Sequence, residues 1–329
     1  MRTYNVAIAG ATGLVGRNFI SILEERTFPV SAIRFLASER SAGKRLPFRG
    51  KEFSVEVLRE DSFKGMDFAL FSAGGSVSLK FAPIAAESGA TVIDNSSAWR
   101  MNENVPLIVP EVNPHAAKGK HKIIANPNCS TIQMVVAIKP LHDVAKIKRV
   151  VVSTYQAVSG KGKAAVDDLR RDAAAYLQDS TKYNLKQHAF NAVPHIDIFL
   201  DDDSTKEETK MVNETRKIMG EPQMRVSATC VRVPVENGHS CSVNLEFEQP
   251  ISPQQAREVL RAAPGVIVMD DAKQQIYPTP LFVSGKDEVF VGRIRQDQSV
   301  KHGLNLWVVA DNVRKGAALN AIQIAEMLI

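Results

Sequence analysis

The chain is poor in cysteine. Only three of its 329 residues are cysteine, Cys129, Cys230 and Cys241. Their spacing matches neither a disulfide framework nor a metal-ligand motif, so we expect no disulfide and no metal site. Free cysteines without a framework are typical of a reducing compartment, which predicts a cytoplasmic protein.

Aromatic side chains and clustered charge are also scarce. Aromatic residues make up 6% of the sequence, and Lys plus Arg exceed Asp plus Glu by only 41 − 36 = 5. The positive charges are scattered and form no basic arm. This pattern argues against a nucleic-acid partner and permits anionic small molecules.

The sequence has no long apolar run, no internal repeat and no low-complexity segment. No stretch reaches the roughly 20 apolar residues that a membrane helix needs. The opening segment "MRTYNVAIAG" runs directly into a strand, and we expect neither a signal peptide nor membrane attachment. An apolar content of 44% is ordinary for a globular protein. At about 150 residues per domain, the length predicts two domains.

Strands and helices alternate in the first part of the chain. Strands are predicted within "YNVAIAG", "VSAIRFLAS", "MDFALFSAGG", "ATVID", "PLIVPEVN" and "HKIIANPN". Such alternation predicts an α/β domain with a Rossmann-type, doubly wound, mostly parallel sheet. Ligands bind such sheets at the carboxyl ends of the strands, where the glycine and polar clusters of this sequence fall.

The character of the chain changes at about residue 148. Alternating strands around the turn "ENGHS" and several charged helices predict an α+β domain with a mixed sheet and helices on one face. A helix over 315–328 follows the last strand and is expected to return to the first domain. We therefore expect a nucleotide-binding domain formed by 1–128 and completed by 312–329. Residues 129–311 would form a catalytic, substrate-binding and dimerisation domain.

The turn "GATGLVG" lies between the first strand and the first helix. Its spacing, Gly10-x-x-Gly13-x-x-Gly16, together with this context favours dinucleotide binding over a purely structural turn. The residues predicted to contact the cofactor here are Gly10, Thr12, Gly13, Leu14 and Val15. The second strand ends in "FLASERSAGK", where Ser38, Arg40 and Ser41 suit a ribose 2′-phosphate and favour NADP. Glu39 is the evidence for NAD.

The stretch "IIANPNCSTIQM" places Cys129 where a helix is expected to start. Asn126-Pro127-Asn128 is a turn signal, and Asn128 is a good helix N-cap. A helix N-terminus favours a thiolate and lowers a cysteine pKa from about 8.5 to roughly 3.5–7.5. Cys129 is therefore a candidate nucleophile, although most free cysteines simply fill the core.

Several motifs in order resemble those of the aspartate-β-semialdehyde dehydrogenase family. They are the "GATGLVG" turn, the "ASERS" segment, the Asn-Pro-Asn-Cys turn and "CVRVPVENGHS", and the resemblance extends from about residue 6 to 316. It implies NADPH-dependent reduction of β-aspartyl phosphate to aspartate semialdehyde and phosphate. That step leads to lysine, diaminopimelate, threonine and methionine.

The resemblance also implies roles for individual residues. Cys129 is the nucleophile, His239 an acid/base with a pKa near neutrality, and Gln156 orients the acyl group. Arg232 would hold the substrate carboxylate and Glu207 its ammonium, unless the helix phase presents Glu208 instead. Phosphate and remaining substrate contacts are expected from Lys210, Arg100 and Asn128, and further cofactor contacts from Gly74, Ser159, Gly160 and Asn312.

Other readings stay open at this level. N-acetyl-glutamyl-phosphate reductase would share the layout but take a longer, acylated substrate. Phosphorylating glyceraldehyde-phosphate dehydrogenase would need sugar-phosphate contacts that the sequence does not offer. A non-catalytic paralogue should have lost Cys129, His239 or Arg232, and all three are present. The resemblance further implies a homodimer or homotetramer.

Overall fold

The computed structural model describes residues 2–119, 121–181, 183–184 and 187–329. The backbone separates into one unit formed by 1–128 with 317–329, and a second formed by 129–316. The return to the first unit therefore falls at 317, whereas the sequence placed it at 312. The α/β fold class is as expected from the sequence.

The first unit is built on a seven-stranded sheet with helices on both faces. Its strands and helices are β1 (Tyr4–Ala9), α1 (Leu14–Glu25), β2 (Val30–Ala37), β3 (Arg45–Phe48), β4 (Lys51–Val57), β5 (Phe68–Phe71), α2 (Gly75–Glu87), β6 (Thr91–Asp94), β7 (Ile123–Ala125) and α8 (Leu319–Glu326). The strand order is β3-β4-β2-β1-β5-β6-β7, parallel except for β3 against β4. Because both faces are covered, central strands such as β5 are buried at every position.

Two features of this sheet differ from the sequence prediction. Strands β3 and β4 were missed, because they form the outer part of the sheet, where few of their residues are buried and no clear apolar run marks them. "PLIVPEVN" was expected to be a strand but forms only an isolated bridge, from Leu107 to Ala125.

The glycine turn after β1 is sterically constrained. Gly10 has φ +87°, and a Cβ there would lie 2.3 Å from the Ser72 carbonyl oxygen. A Cβ on Gly16 would lie 2.2 Å from the Gly10 oxygen. Glycine is thus required at both positions to close the strand–turn–helix unit.

The last helix was predicted over 315–328 and forms in two parts. A π-helical turn covers Arg314–Ala318, and α8 follows it. Leu319, Ile322 and Ile324 are buried in one apolar cluster with Phe19 of α1. The end of the chain therefore packs within the first unit.

The second unit contains a six-stranded mixed sheet. Its elements are α3 (Cys129–Ala145), β8 (Ile147–Gln156), α4 (Lys163–Gln178), α5 (Lys206–Met219), β9 (Arg225–Arg232), β10 (His239–Phe247), α6 (Pro253–Ala262), β11 (Val266–Val268), α7 (Pro280–Val283), β12 (Val289–Asp297) and β13 (Gly303–Ala310). The strand order is β11-β12-β13-β10-β8-β9. Helix α3 starts at Cys129, as predicted, and is buried along most of its length against this sheet.

Strands β9 and β10 lie on either side of the "ENGHS" turn, as predicted, but they do not pair with each other. Strand β8 lies between them, parallel to β9 and antiparallel to β10. The "ENGHS" segment therefore crosses the end of β8 instead of closing a hairpin.

Within the described residues, no helix is long and apolar enough to cross a membrane.

Replacing Gly16 with Ala is expected to destabilise the first unit by about 2–4 kcal/mol, because the new methyl group would overlap the Gly10 carbonyl. Gly75→Ala is the matched control, since a Cβ there meets nothing within 4 Å. Urea unfolding followed by circular dichroism measures both. Equal stability of the two variants would contradict the proposed steric requirement.

Candidate active site and cofactor-binding turn

The ends of four strands gather the candidate catalytic residues of the second unit. Gln156 ends β8 and pairs with Arg232, which ends β9. His239 begins β10 and pairs with Ala310, which ends β13. All three predicted side chains are buried, with 1%, 6% and 0% of their surface exposed.

His239 is held by the backbone immediately after β8. The Ala157 N–H donates a 3.0 Å hydrogen bond to His239 Nδ1. Because Nδ1 accepts this bond, a neutral ring carries its proton on Nε2. Nε2 is buried and has no hydrogen-bond partner among the described residues. The ring therefore presents an N–H donor that is ready for a ligand oxygen.

The expected near-neutral pKa of His239 was wrong. Complete burial, followed by the nearby positive charge of Arg232, lowers the pKa of His239 well below its ordinary value. Protonating Nδ1 would also oppose the Ala157 N–H. The geometry favours a neutral hydrogen-bond donor over an imidazolium acid.

Arg232 is anchored to the same backbone residue. Its Nη1 donates a 2.7 Å hydrogen bond to the Ala157 carbonyl oxygen. A Cβ on Gly160 would lie 3.0 Å from Arg232 Nη1 and 3.2 Å from His239 Nε2. The predicted residue Gly160 therefore packs against both side chains. Any larger residue at this position would push Arg232 or His239 out of place.

Glu207 and Lys210 lie on the first turn and a half of α5. The Thr205 hydroxyl caps this helix by accepting the Glu208 N–H, and the Glu208 carboxylate accepts the Thr205 N–H in return. Glu208 also accepts the Cys230 N–H, so it is engaged in structure. Glu207 is the residue that faces the cluster: its carboxylate accepts Gln156 Nε2 at 3.1 Å and Lys210 Nζ at 3.1 Å.

Cys129 begins α3 and is only partly buried. A Cβ on Gly316 would lie 2.9 Å from Cys129 Cβ, so the chain after β13 packs directly on the cysteine. One turn further along α3, Gln133 donates to the His239 carbonyl oxygen at 3.2 Å. These contacts fix α3 against the strand that carries His239.

Ser159 and Asn312 also meet in this unit. Asn312 Nδ2 donates to Ser159 Oγ at 2.9 Å, and Asn312 Oδ1 accepts the Gly238 N–H at 2.9 Å. The two predicted cofactor contacts are thus neighbours. Ser159 precedes Gly160 in the chain, and Gly238, which Asn312 contacts, precedes His239. Both are buried, with 7% and 3% of their surface exposed.

The glycine turn of the first unit has the properties of a phosphate-binding site. Gly13 caps α1 without a side chain, and the first turn, which contains Leu14 and Val15, has no acidic residue. Thr12 Oγ1 lies 3.4 Å from Ser41 Oγ, which brings the turn beside the segment after β2. These features fit the pyrophosphate and ribose of a dinucleotide.

The segment after β2 forms a short 3₁₀ helix, Glu39–Ser41, capped by Ser38. Ser38, Glu39 and Arg40 are exposed there. Arg40, which favours a 2′-phosphate, is therefore exposed to solvent. Glu39, which favours a free ribose hydroxyl, is exposed beside it.

Arg100 and the turn before Cys129 form a polar brace in the first unit. Arg100 donates to the carbonyl oxygens of Asn126 and Asn95, both at 2.9 Å. Asn320 of α8 donates to Asn126 Oδ1 at 2.7 Å. Asn128 is buried at the end of this turn. Gly74 lies elsewhere in the unit, where it caps α2 with φ +88°.

Four contributors were missed by sequence reasoning. The Ala157 backbone and the Asn126–Asn320 brace left no pattern, because their contacts join distant segments. Asp197, whose Oδ2 lies 2.7 Å from Lys210 Nζ, falls in the loop before α5 and carried no motif. Gly316 did leave a signal, since a glycine inside a predicted helix marks close packing.

Comparison with known proteins shows the family of this chain. A model of the semialdehyde dehydrogenase NAD-binding domain matches residues 5–120, and a model of the semialdehyde dehydrogenase dimerisation domain matches 138–315. An aspartate-semialdehyde dehydrogenase of Aquifex aeolicus is 60% identical over 99% of this chain and 98% of that protein. The chain belongs to the aspartate-semialdehyde dehydrogenase family.

Solved structures of the family extend the likeness to the fold. Aspartate semialdehyde dehydrogenase II of Vibrio cholerae, complexed with ASA, is 50% identical with a TM-score of 0.96, covering 100% of this chain and 98% of the other. The Candida albicans enzyme with NADP is 28% identical with a TM-score of 0.78, covering 99% and 98%. As a family member, this chain is an oxidoreductase with an NAD(P)-binding domain. Across the part of the chain that the structure describes, no three side chains are grouped as metal ligands.

The state of His239 predicts a pH dependence of stability. Below the ordinary value of 6.5, the unfolded chain binds a proton that the folded chain excludes, so stability is lost as pH falls. Lowering the pH from 7.5 to 5.5 should destabilise the wild type more than His239→Gln by roughly 1 kcal/mol. His142, whose pKa is also lowered by burial, is kept in both proteins. Urea unfolding at each pH measures the difference, and equal losses would refute a neutral His239.

Proposed function

We propose that this chain reduces L-β-aspartyl phosphate to L-aspartate semialdehyde and phosphate, reversibly and with NADPH. The observation that carries the proposal is the set of side chains around the end of β8. A partly exposed cysteine at a helix N-terminus shares one unit with a buried histidine donor, an arginine and a Glu–Lys pair. This set supplies a nucleophile, a hydrogen-bond donor for the substrate oxygen, and groups that bind anions and cations.

In the proposed mechanism, the Cys129 sulfur attacks the acyl carbon. The new C–S bond forms as the C–O bond to phosphate breaks, and phosphate leaves. When bound, a reduced nicotinamide supplies the hydride that turns the thioester into the aldehyde. His239 Nε2–H donates a hydrogen bond to the substrate oxygen as negative charge develops there. No proton needs to leave His239, because collapse of the oxyanion restores the carbonyl as the C–S bond breaks and the Cys129 thiolate leaves.

Arg232 and Glu207 are proposed to hold the amino-acid head of the substrate. Only Nη1 of Arg232 is hydrogen-bonded within the described residues, to Ala157. The other guanidinium nitrogens suit two parallel bonds to a carboxylate. A buried carboxylate at Glu207 suits an ammonium, which an N-acetylated substrate lacks. The pair therefore favours the free amino acid over N-acetyl-glutamyl phosphate.

Lys210 and Arg100 are the proposed phosphate ligands, and Asn128 a further substrate contact. Lys210 is expected to stay protonated. Burial alone would lower its pKa, but the carboxylates of Glu207 and Asp197 raise the pKa of Lys210 overall. A persistent ammonium suits a doubly charged leaving group.

A dimer or a dimer of dimers is the proposed assembly. Helices cover one face of the six-stranded sheet, while Tyr155 and Trp307 stand on the other with their rings 5.4 Å apart. Tyr155 is 38% exposed in the single chain, which suits a contact between subunits. We propose that the protein acts in the cytoplasm, where Cys129 stays reduced. Its proposed role there is in the synthesis of lysine, diaminopimelate, threonine and methionine.

The direct test is phosphate-dependent reduction of NADP with L-aspartate semialdehyde, followed by nicotinamide absorbance. Cys129→Ser should lower turnover by about 10³-fold or more, while NADP still binds, because the glycine turn is untouched. Cys230→Ala, at a buried thiol outside the proposed chemistry, is the control and should retain most turnover.

Two outcomes would overturn parts of this proposal. Turnover on N-acetyl-glutamate semialdehyde alone would reassign the substrate. An absence of turnover with either aldehyde, while NADP binds, would indicate a non-catalytic paralogue.

Arg40→Ala should raise KM for NADPH about 10-fold or more and leave KM for NADH nearly unchanged, since only the 2′-phosphate contact is lost. Arg45→Ala, another exposed arginine nearby in sequence, controls for general loss of positive charge. If both cofactors weaken equally, Arg40 does not read the 2′-phosphate.

A further inference from the structure

The loop before α5 is closed tightly onto the start of that helix. Asp197 adopts φ +69°, a left-handed conformation that is uncommon outside glycine. The Lys206 N–H donates to the Ile198 carbonyl oxygen at 2.8 Å, and Phe199 bridges to Thr205. Asp197 is therefore fixed relative to the first turn of α5.

Both oxygens of Asp197 are engaged. Oδ1 accepts the Ile198 N–H at 3.0 Å, and Oδ2 accepts Lys210 Nζ at 2.7 Å. The same Nζ donates to Glu207 Oε2 at the longer distance of 3.1 Å. The lysine side chain is 18% exposed, Glu207 6% and Asp197 34%. The ammonium is thus shared between a buried carboxylate and a more exposed one.

Among the residues that the structure describes, this sharing leaves Lys210 one of its three N–H donors. Without Asp197, the ammonium would be drawn onto Glu207, its more buried partner on the same helix. The attraction between the two would strengthen, because few water molecules screen it there. Lys210 would then be poorly placed to meet a second anion.

We propose that Asp197 is a positioning residue that holds the Lys210 ammonium off Glu207, in the place from which it binds phosphate. The inference deepens the proposed function and rests on its assignment of phosphate to Lys210. If Asp197 acted only by repelling phosphate, removing its carboxylate would strengthen phosphate binding. A positioning role predicts the opposite, that phosphate binding weakens when the carboxylate is removed.

The test compares Asp197→Asn with Asp201→Asn, an exposed aspartate on the same loop. In the phosphate-dependent reaction, Asp197→Asn should raise KM for phosphate about 10-fold, with KM for NADP within about twofold of wild type. Asp201→Asn should leave all three substrate constants unchanged. Asp197→Glu, which restores the charge, should recover part of the loss.

Two kinetic results would overturn the inference. An unchanged or lowered KM for phosphate in Asp197→Asn would mean that Asp197 does not position Lys210. A parallel rise in KM for phosphate, aldehyde and NADP would show general damage to the loop.

A binding measurement separates this inference from the proposed function. Inorganic phosphate, compared with chloride at equal ionic strength, should raise the Tm of the wild type more than that of Asp197→Asn. If the wild type has no phosphate-dependent turnover but shows this difference, the proposed function fails and the positioning role stands. If phosphate stabilises both proteins equally, or neither, the positioning role fails.

Discussion

The geometry of the candidate active site depends on the backbone of one residue, Ala157. Its N–H holds His239 and its carbonyl oxygen holds Arg232, so both side chains are oriented by the backbone that follows strand β8. Since Gln156 ends that strand, three of the proposed site residues take their positions from one point in the sheet. A backbone anchor of this kind needs no particular side chain at 157, and it fixes which ring nitrogen of His239 carries the proton.

Close packing supports the same arrangement. Glycine occurs at the two positions where a methyl group would press on a proposed catalytic side chain, Gly160 beside Arg232 and His239, and Gly316 beside Cys129. Protein interiors adjust little to added volume, so a larger residue at either position would displace the side chain beside it. Burial also decides which side chains of the candidate site carry a charge. It keeps His239 neutral, whereas Lys210 remains positive because two carboxylates offset its burial.

Much of the architecture was predictable from the sequence, because it rests on local signals. The glycine turn, the start of α3 at Cys129 and the last helix all follow from short patterns. The insertion of β8 between β9 and β10 was not predictable, since strand order depends on pairing between distant segments. The backbone contacts of Ala157 and the Asp197–Lys210 ion pair were hidden for the same reason. The pKa of His239 could not be read from "ENGHS", because burial is a property of the packed unit.

The central claim is that His239 is a neutral ring pinned at Nδ1 by Ala157, with its proton on Nε2. The most direct measurement is ¹⁵N NMR of histidine-labelled protein across pH 5.5 to 8, with His239 assigned by its absence in His239→Gln. The account predicts one ring with an unprotonated Nδ1 and a protonated Nε2 throughout this range. A ring with both nitrogens protonated near neutrality, or with the proton on Nδ1, would contradict it.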